Sequence, residues 1–275
     1  KIPQIPENPT YQGFRTEEEV ELLLKDDRSL PLGYDMESAR PWALDLSRFY
    51  CWIVSGRKRS GKTNLLQLVV RMATEKGGKV YVFAEKNSIL EKTADETGAS
   101  FYAPEDDYVP FCMEIKPELV KRNRKKHELE CAGYSDEEIY EQMKEEENIF
   151  IVIDDLAAFT EKLYQPAEGR ASVSGFFETF TDKGWYHQIF LFAGLNQDDR
   201  FSVQGRAFYE NVTRDRNGVH LGGNAGSQQL LNFDYLSSFR EQNHTEPLGV
   251  GLLAVGEGRM KTGKVVIPNA RKQGG

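Results

Sequence analysis

Residues 49–64 read FYCWIVSGRKRSGKTN. From Phe49 to Ser55 the residues are aromatic, apolar or β-branched over one strand's length, the composition of a buried strand. That run meets Gly56-Arg57-Lys58-Arg59-Ser60-Gly61-Lys62-Thr63, which has the GxxxxGK[ST] spacing of a phosphate-binding loop. After it, Leu65, Leu66, Leu68, Val69, Met72 and Ala73 recur at helical spacing between Thr63 and Thr74. Strand, glycine loop and helix thus stand in the order the motif needs. In such a loop backbone amides turn inward toward phosphate oxygens, and the following helix adds its positive N-terminal end. The expected ligand is ATP with Mg²⁺. Gly56 and Gly61 supply the permissive backbone, Lys62 reaches the β- and γ-phosphates, and the Thr63 hydroxyl holds the metal. Arg57, Lys58, Arg59, Ser60 and Asn64 complete the expected nucleotide-binding stretch, and its three basic side chains make the loop unusually positive.

A second constellation is IFIVIDD at 149–155. Five apolar residues predict a central parallel strand, and the acids stand at the strand's C-terminal end, the edge on which open parallel sheets bind ligands. Asp154 is the expected Mg²⁺ residue, directly or through water, and Asp155 the residue that orients or deprotonates the attacking water. The run from Gln188 to Gly194 predicts another buried strand, and it ends at Asn196-Gln197. That polar pair is placed to sense the γ-phosphate or position water, with Asn196 the expected catalytic residue.

Working outward, Lys79 to Ala84 predicts a further buried strand, and alternating strand and helix signals imply a mostly parallel central sheet with helices on both faces. Leu30–Asp35 and Pro41–Leu46 predict a strand pair before the loop. Leu248–Val255 and Met260–Ile267, around Gly256-Glu257-Gly258-Arg259, predict a C-terminal β-hairpin closing the sheet. Residues 1–29 divide into a proline-rich linker and a short helix, with Thr16 and Glu19 as an expected capping box, and residues 30–275 form the nucleotide-binding domain. Between Lys116 and Asn148 two charged helices are expected to meet near Gly133, the second opened by a Ser135/Glu138 capping box. The basic run 121–126 lies beside acidic residues ending at Glu145-Glu146-Glu147, which predicts a solvated, self-compensating pair. Phe176, Phe177, Phe180, Trp185 and Tyr186 recur near helical spacing and are expected in the core.

Composition sets bounds on the rest. At 275 residues and 39% hydrophobic content the chain can bury one large core. Cys51, Cys112 and Cys131 lack disulfide or zinc spacing, and His127, His187, His220 and His244 are dispersed. A reducing cytosolic compartment fits. The net charge of −8 is opposite in sign to that of a domain gripping nucleic acid through phosphates. The chain opens Lys1-Ile2-Pro3 without an initiator methionine and has no membrane-length apolar run, so it reads as a cytoplasmic segment of a longer polypeptide whose remainder could hold membrane spans.

In these motifs the chain resembles the FtsK/SpoIIIE-type ATPase domains, and within them the C-terminal ATPase domain of type VII secretion ATPases of the EssC/EccC kind. The resemblance rests on LPLGYD at 30–35, GRKRSGKTN at 56–64, IFIVIDD at 149–155, HLGGNAGSQQLLNF at 220–233 and GVGLLAVGEGRMKTGKVVIP at 249–268. It implies a RecA-like P-loop motor domain, one of several in tandem in a membrane-anchored ATPase that exports WXG100-type proteins and their effectors. Neighbouring ATPase domains, a hexamer and secreted substrates are the implied partners; an FtsK-like DNA translocase or conjugative coupling ATPase is the alternative. Members usually carry Glu where this chain has Asp155, one methylene shorter. A displacement of about an ångström can cost on the order of a hundredfold in rate, so slow turnover is expected. An arginine from a neighbouring subunit commonly completes such sites, and Arg200, Arg206, Arg214 and Arg216 are the candidates.

Overall fold

A computed structural model describes residues 3–47, 50–165, 173–182, 185–254 and 263–271. In chain order the elements are α1 (Tyr11–Arg15), α2 (Glu18–Lys25), β1 (Ser29–Asp35), β2 (Pro41–Asp45), β3 (Cys51–Ser55), α3 (Lys62–Glu75), β4 (Lys79–Phe83), α4 (Ile89–Thr97) and β5 (Ser100–Tyr102). There follow α5 (Val109–Cys131), α6 (Asp136–Met143), β6 (Ile149–Ile153), α7 (Leu156–Tyr164), α8 (Ser174–Asp182), β7 (Ile189–Leu195), α9 (Ala207–Thr213), β8 (Gly218–Gly223), α10 (Phe239–Gln242), β9 (Glu246–Ala254) and β10 (Lys264–Val266).

The strands form one ten-stranded sheet ordered β2-β1-β10-β9-β8-β3-β7-β6-β4-β5. Its half from β8 to β5 is parallel, with Ile53 opposite Ala193, Ile151 opposite Leu191 and Phe83 opposite Ile153. The other half is antiparallel, and β9 and β10 pair as the expected hairpin, whose turn at Gly256–Arg259 lies outside the described residues.

Alternation along each central strand explains why both faces need cover. Trp52, Val54, Phe150, Val152, Phe190 and Phe192 join one buried cluster with the apolar side chains of α3 and with Tyr11, Phe14 and Val20 from the first two helices. Their sequence neighbours Ile53, Ile151, Ile153, Leu191 and Ala193 join a second cluster on the opposite face. There α5, α7, α8 and α9 contribute Phe111, Phe159, Phe177 and Phe208. All residues of β3, β6 and β7 are buried, as a parallel sheet covered twice requires. Of the phenylalanines expected in the core, Phe177 and Phe180 are buried on α8, and Phe176 packs half-buried against the same cluster.

The Ser135/Glu138 capping box forms. The Thr16/Glu19 box does not. A turn of helix, capped by Thr10, precedes it and takes Thr16 as its own C-terminal end. The Thr16 hydroxyl donates to Gln12 O and Gly13 O, and Glu17 begins α2 without a side-chain cap. The basic run on α5 is compensated as expected: Lys121 and Lys125 bond Glu146, and Lys126 bonds Glu130. Arg122 is buried and pins α5 to the carbonyls of His187 and Glu147. Among the described residues no helix is long and apolar enough to cross a membrane.

Candidate nucleotide site

The loop 56–61 leaves β3 and closes onto α3 between two strand ends. Gly56 N donates to Leu195 O (3.3 Å), tying the loop to the end of β7, and a Cβ on Gly56 would stand 3.0 Å from Leu221 O at the end of β8. Only glycine fits there. Gly61 has φ +99° and Arg59 φ +65°; the first is cost-free for glycine, whereas the second holds an L-residue in left-handed backbone at the loop tip. Among the described residues the amides of Arg57, Lys58, Arg59 and Gly61 donate to no backbone acceptor, and the buried Ser60 hydroxyl has no partner. Unpaired donors gathered at a helix N-terminus are the arrangement that takes phosphate. The residues therefore fit the triphosphate.

Lys62 Nζ donates to Gly56 O (2.8 Å) and Arg57 O (2.7 Å), folded back over its own loop. Burial pushes its pKa down, while Asp154, Asp155 and Asp199 oppose the shift. Lys62 therefore carries its charge into a partly desolvated position among carboxylates. Thr63 Oγ1 donates to Asp154 Oδ1 at 3.0 Å, bringing the two expected metal-holding groups together. Burial pushes the Asp154 carboxyl up; the Thr63 bond and Lys62 oppose this, and Asp155 and Glu85 reinforce it. A hydroxyl and a carboxylate paired in this way are hard-oxygen donors suited to Mg²⁺; Thr63 and Asp154 would hold the ion, which would supply positive charge against the phosphates.

The remaining expected residues are also placed. Asp155 is exposed and N-caps α7, its Oδ1 accepting from Ala158 N (3.0 Å). Asn196 follows Leu195 beside the loop and accepts weakly from Asp198 N (3.4 Å). Asn64 turns away from the phosphate side. Its amide donates to Pro268 O (3.0 Å) and accepts from Ala270 N (2.9 Å), holding the C-terminal segment on the first turn of α3. Arg57, Lys58 and Arg59 are exposed around the loop. Of the arginine candidates, Arg200 bonds Gln229 (3.2 Å), Arg206 stacks over Tyr164 and Arg214 pairs with Asp182 (3.1 Å). Arg216 takes φ +50° just before β8.

Two supports, His220 and Glu85, escaped the reading of the sequence, and a third residue, Gln197, has a structural role other than the one expected of it. His220 lies beneath the loop, its Nδ1 3.1 Å from Ser55 Oγ, and burial with the nearby charges of Arg57 and Lys62 lowers its pKa to about 4. Gln197 clamps the segment after β8, donating to Ser227 O and accepting from Gln229 N (3.1 Å). Glu85 stands just beyond β4, near enough to raise the Asp154 pKa. The Gly222-Gly223 pair after His220 and the acid closing KVYVFAE were the available signals.

Among known proteins, no protein-family model matches the chain, and no curated protein matches it in sequence. Solved structures do match. The cytoplasmic domain of EssC superposes with TM-score 0.76 at 17% identity, over 98% of this chain and 48% of that one. The pCW3 conjugation coupling protein TcpA, solved with ATPγS, gives 0.66 at 18% identity over 98% and 71%. The EccC ATPases 2 and 3 of Thermomonospora curvata, in complex with a signal sequence peptide, give 0.61 at 16% identity over 98% and 44%. The chain spans about half the length of the EssC and EccC structures. Its fold is the RecA-like ATPase fold that the type VII secretion ATPases EssC and EccC share with TcpA.

Proposed function

We propose that the chain binds ATP with Mg²⁺ at residues 56–63 and hydrolyses it slowly, as one ATPase domain of a type VII secretion ATPase. The observation that carries this reading is the joining of Lys62, Thr63 and Asp154 beneath one glycine loop at the C-terminal edge of a parallel sheet. Lys62 would exchange its two carbonyl partners for β- and γ-phosphate oxygens. Thr63 and Asp154 would hold the metal, and Asp155 and Asn196 stand at the two neighbouring strand ends where the γ-phosphate would lie. In the same reading the domain helps recognise and export WXG100-type substrates beside other ATPase domains of a membrane-anchored parent. The EccC likeness, from a structure holding a signal peptide, supports that role.

Titration with a fluorescent ATP analogue tests the nucleotide clause. Lys62→Ala should weaken binding by roughly a hundredfold, within the 2–5 kcal/mol range for removing one partner of a buried charged pair. Equal affinity of the two proteins would end the reading. The likeness to TcpA favours a second reading, a coupling ATPase acting with DNA. Salt-dependent binding of random duplex at physiological ionic strength would support it; the net charge of −8 argues against it.

A further inference from the structure

Asn64 follows Thr63 at the start of α3, and its main chain and side chain face different tasks. Gly61, in left-handed backbone, gives α3 no side-chain cap, and Leu65 N to Gly61 O (3.1 Å) is the first backbone bond of the helix. Among the described residues the amides of Lys62, Thr63 and Asn64 donate to no backbone acceptor. These are the free donors of a helix N-terminus, and they hold phosphate together only while the first turn keeps one orientation. The Asn64 carboxamide points the other way. It donates to Pro268 O (3.0 Å) and accepts from Ala270 N (2.9 Å), so one side chain spends both its donor and its acceptor on the segment that leaves β10. About two turns further along α3, buried Arg71 grips that segment again, its Nε donating to Ala270 O (3.0 Å). Arg71 is itself fixed by Glu96 (2.7 Å) and lies over the Tyr11 ring (5.4 Å). The segment is seated by its own core residues too: Val265, Ile267 and Ala270 are buried, and Ile267 N donates to Gly249 O (2.8 Å).

We infer that Asn64 is a positioning residue: through it the docked segment 267–271 holds the first turn of α3 in the orientation that binds phosphate, so that nucleotide occupancy and docking of the segment favour each other. This rests on the proposal that the chain binds ATP at residues 56–63. With the segment docked, Asn64 is tied through both ends of its carboxamide, and the three free amides are fixed before the ligand arrives. With the segment undocked, the turn keeps the Thr63–Asp154 bond on one side and loses its tie on the other. Ordering it then subtracts from the energy of binding. A contact that favours ATP by some factor is favoured by ATP by the same factor. Whatever peels residues 267–271 from α3 therefore lowers the affinity for nucleotide, and nucleotide release loosens the segment.

The test uses the whole chain and two readouts, affinity for the fluorescent ATP analogue with Mg²⁺ and hydrogen exchange at the Ala270 amide. In wild type, saturating analogue should slow exchange at Ala270 by about tenfold and leave the amides of α6 unchanged, and Asn64→Ala should weaken binding by about the same factor. Arg71→Met frees the segment from its second anchor without touching the first turn, and should weaken binding by about fivefold. Analogue that binds wild type but leaves Ala270 exchange unchanged overturns the coupling alone. So do variants that unfold at a lower temperature yet bind the analogue as wild type does, which is the behaviour of side chains that only stabilise the fold. Should Asn64→Ala not fold, the wild-type exchange decides. Wild type that binds no analogue overturns both the coupling and the reading beneath it.

Discussion

At the scale of single residues, Thr63 and Asp154 lie 91 positions apart yet bond at 3.0 Å, so both motifs act as one unit. Thr63→Ala should leave Mg²⁺-free binding of an ATP analogue unchanged and cut the gain from Mg²⁺ by about tenfold, the size of one hydrogen bond to a charged group. Parallel titrations with and without the metal check it. His220 yields a pH prediction. Its pKa falls from 6.5 to about 4 on folding, so the unfolded chain binds the extra proton between those values. Stability from this residue is full above pH 6.5 and is lost as pH falls toward 4, by up to about 3 kcal/mol. Urea unfolding at pH 7 and pH 5 should show a drop in wild type that is reduced in His220→Gln. The residues proposed to bind phosphate were legible because their chemistry is written locally, in Gly56, Gly61, Lys62 and Thr63. His220, Glu85 and the clamping role of Gln197 were not, since each depends on which strand ends the topology makes neighbours.

At the scale of elements, the connection after β7 is locked to the connection after β8 through both ends of the Gln197 amide. Gln197→Ala removes two hydrogen bonds and should cost about 1–3 kcal/mol, with amide exchange at Gln229 accelerating while that in β7 is unchanged. Helix ends divide in the same instructive way. The Ser135/Glu138 box was readable because the chain before it, ending α5 near Gly133, leaves Ser135 free to cap. Thr16 matched the same pattern, but Thr10 nucleates a turn at Tyr11–Arg15 that claims it first. A capping signature reports what a side chain can do; the preceding turn decides whether it is available.

At the scale of the whole molecule, the strand alternation and both buried faces followed from apolar runs, whereas strand order did not. The last strand, β10, lies between β9 and β1 and, among the described residues, is all that joins the β1–β2 pair to the rest of the sheet. Deleting residues 263–271 removes the buried Val265, Ile267 and Ala270 and opens two strand edges. The expected loss is about 5 kcal/mol, comparable to the whole stability of many domains, and should appear in thermal unfolding as a lowered, less cooperative transition. The same segment has a mechanical consequence. Tyr11 N donates to Asn269 O and Asn269 N to Pro9 O, both at 2.8 Å, in a parallel bridge. Tension drawing the two ends of the described chain apart would load these bonds in shear, together rather than one by one. The bridge is anchored through Pro268 and Ala270 to Asn64 and Arg71 on α3. A tug on the chain would thus be delivered to Asn64, the residue beside Thr63, so that load on the two ends meets at the first turn of α3.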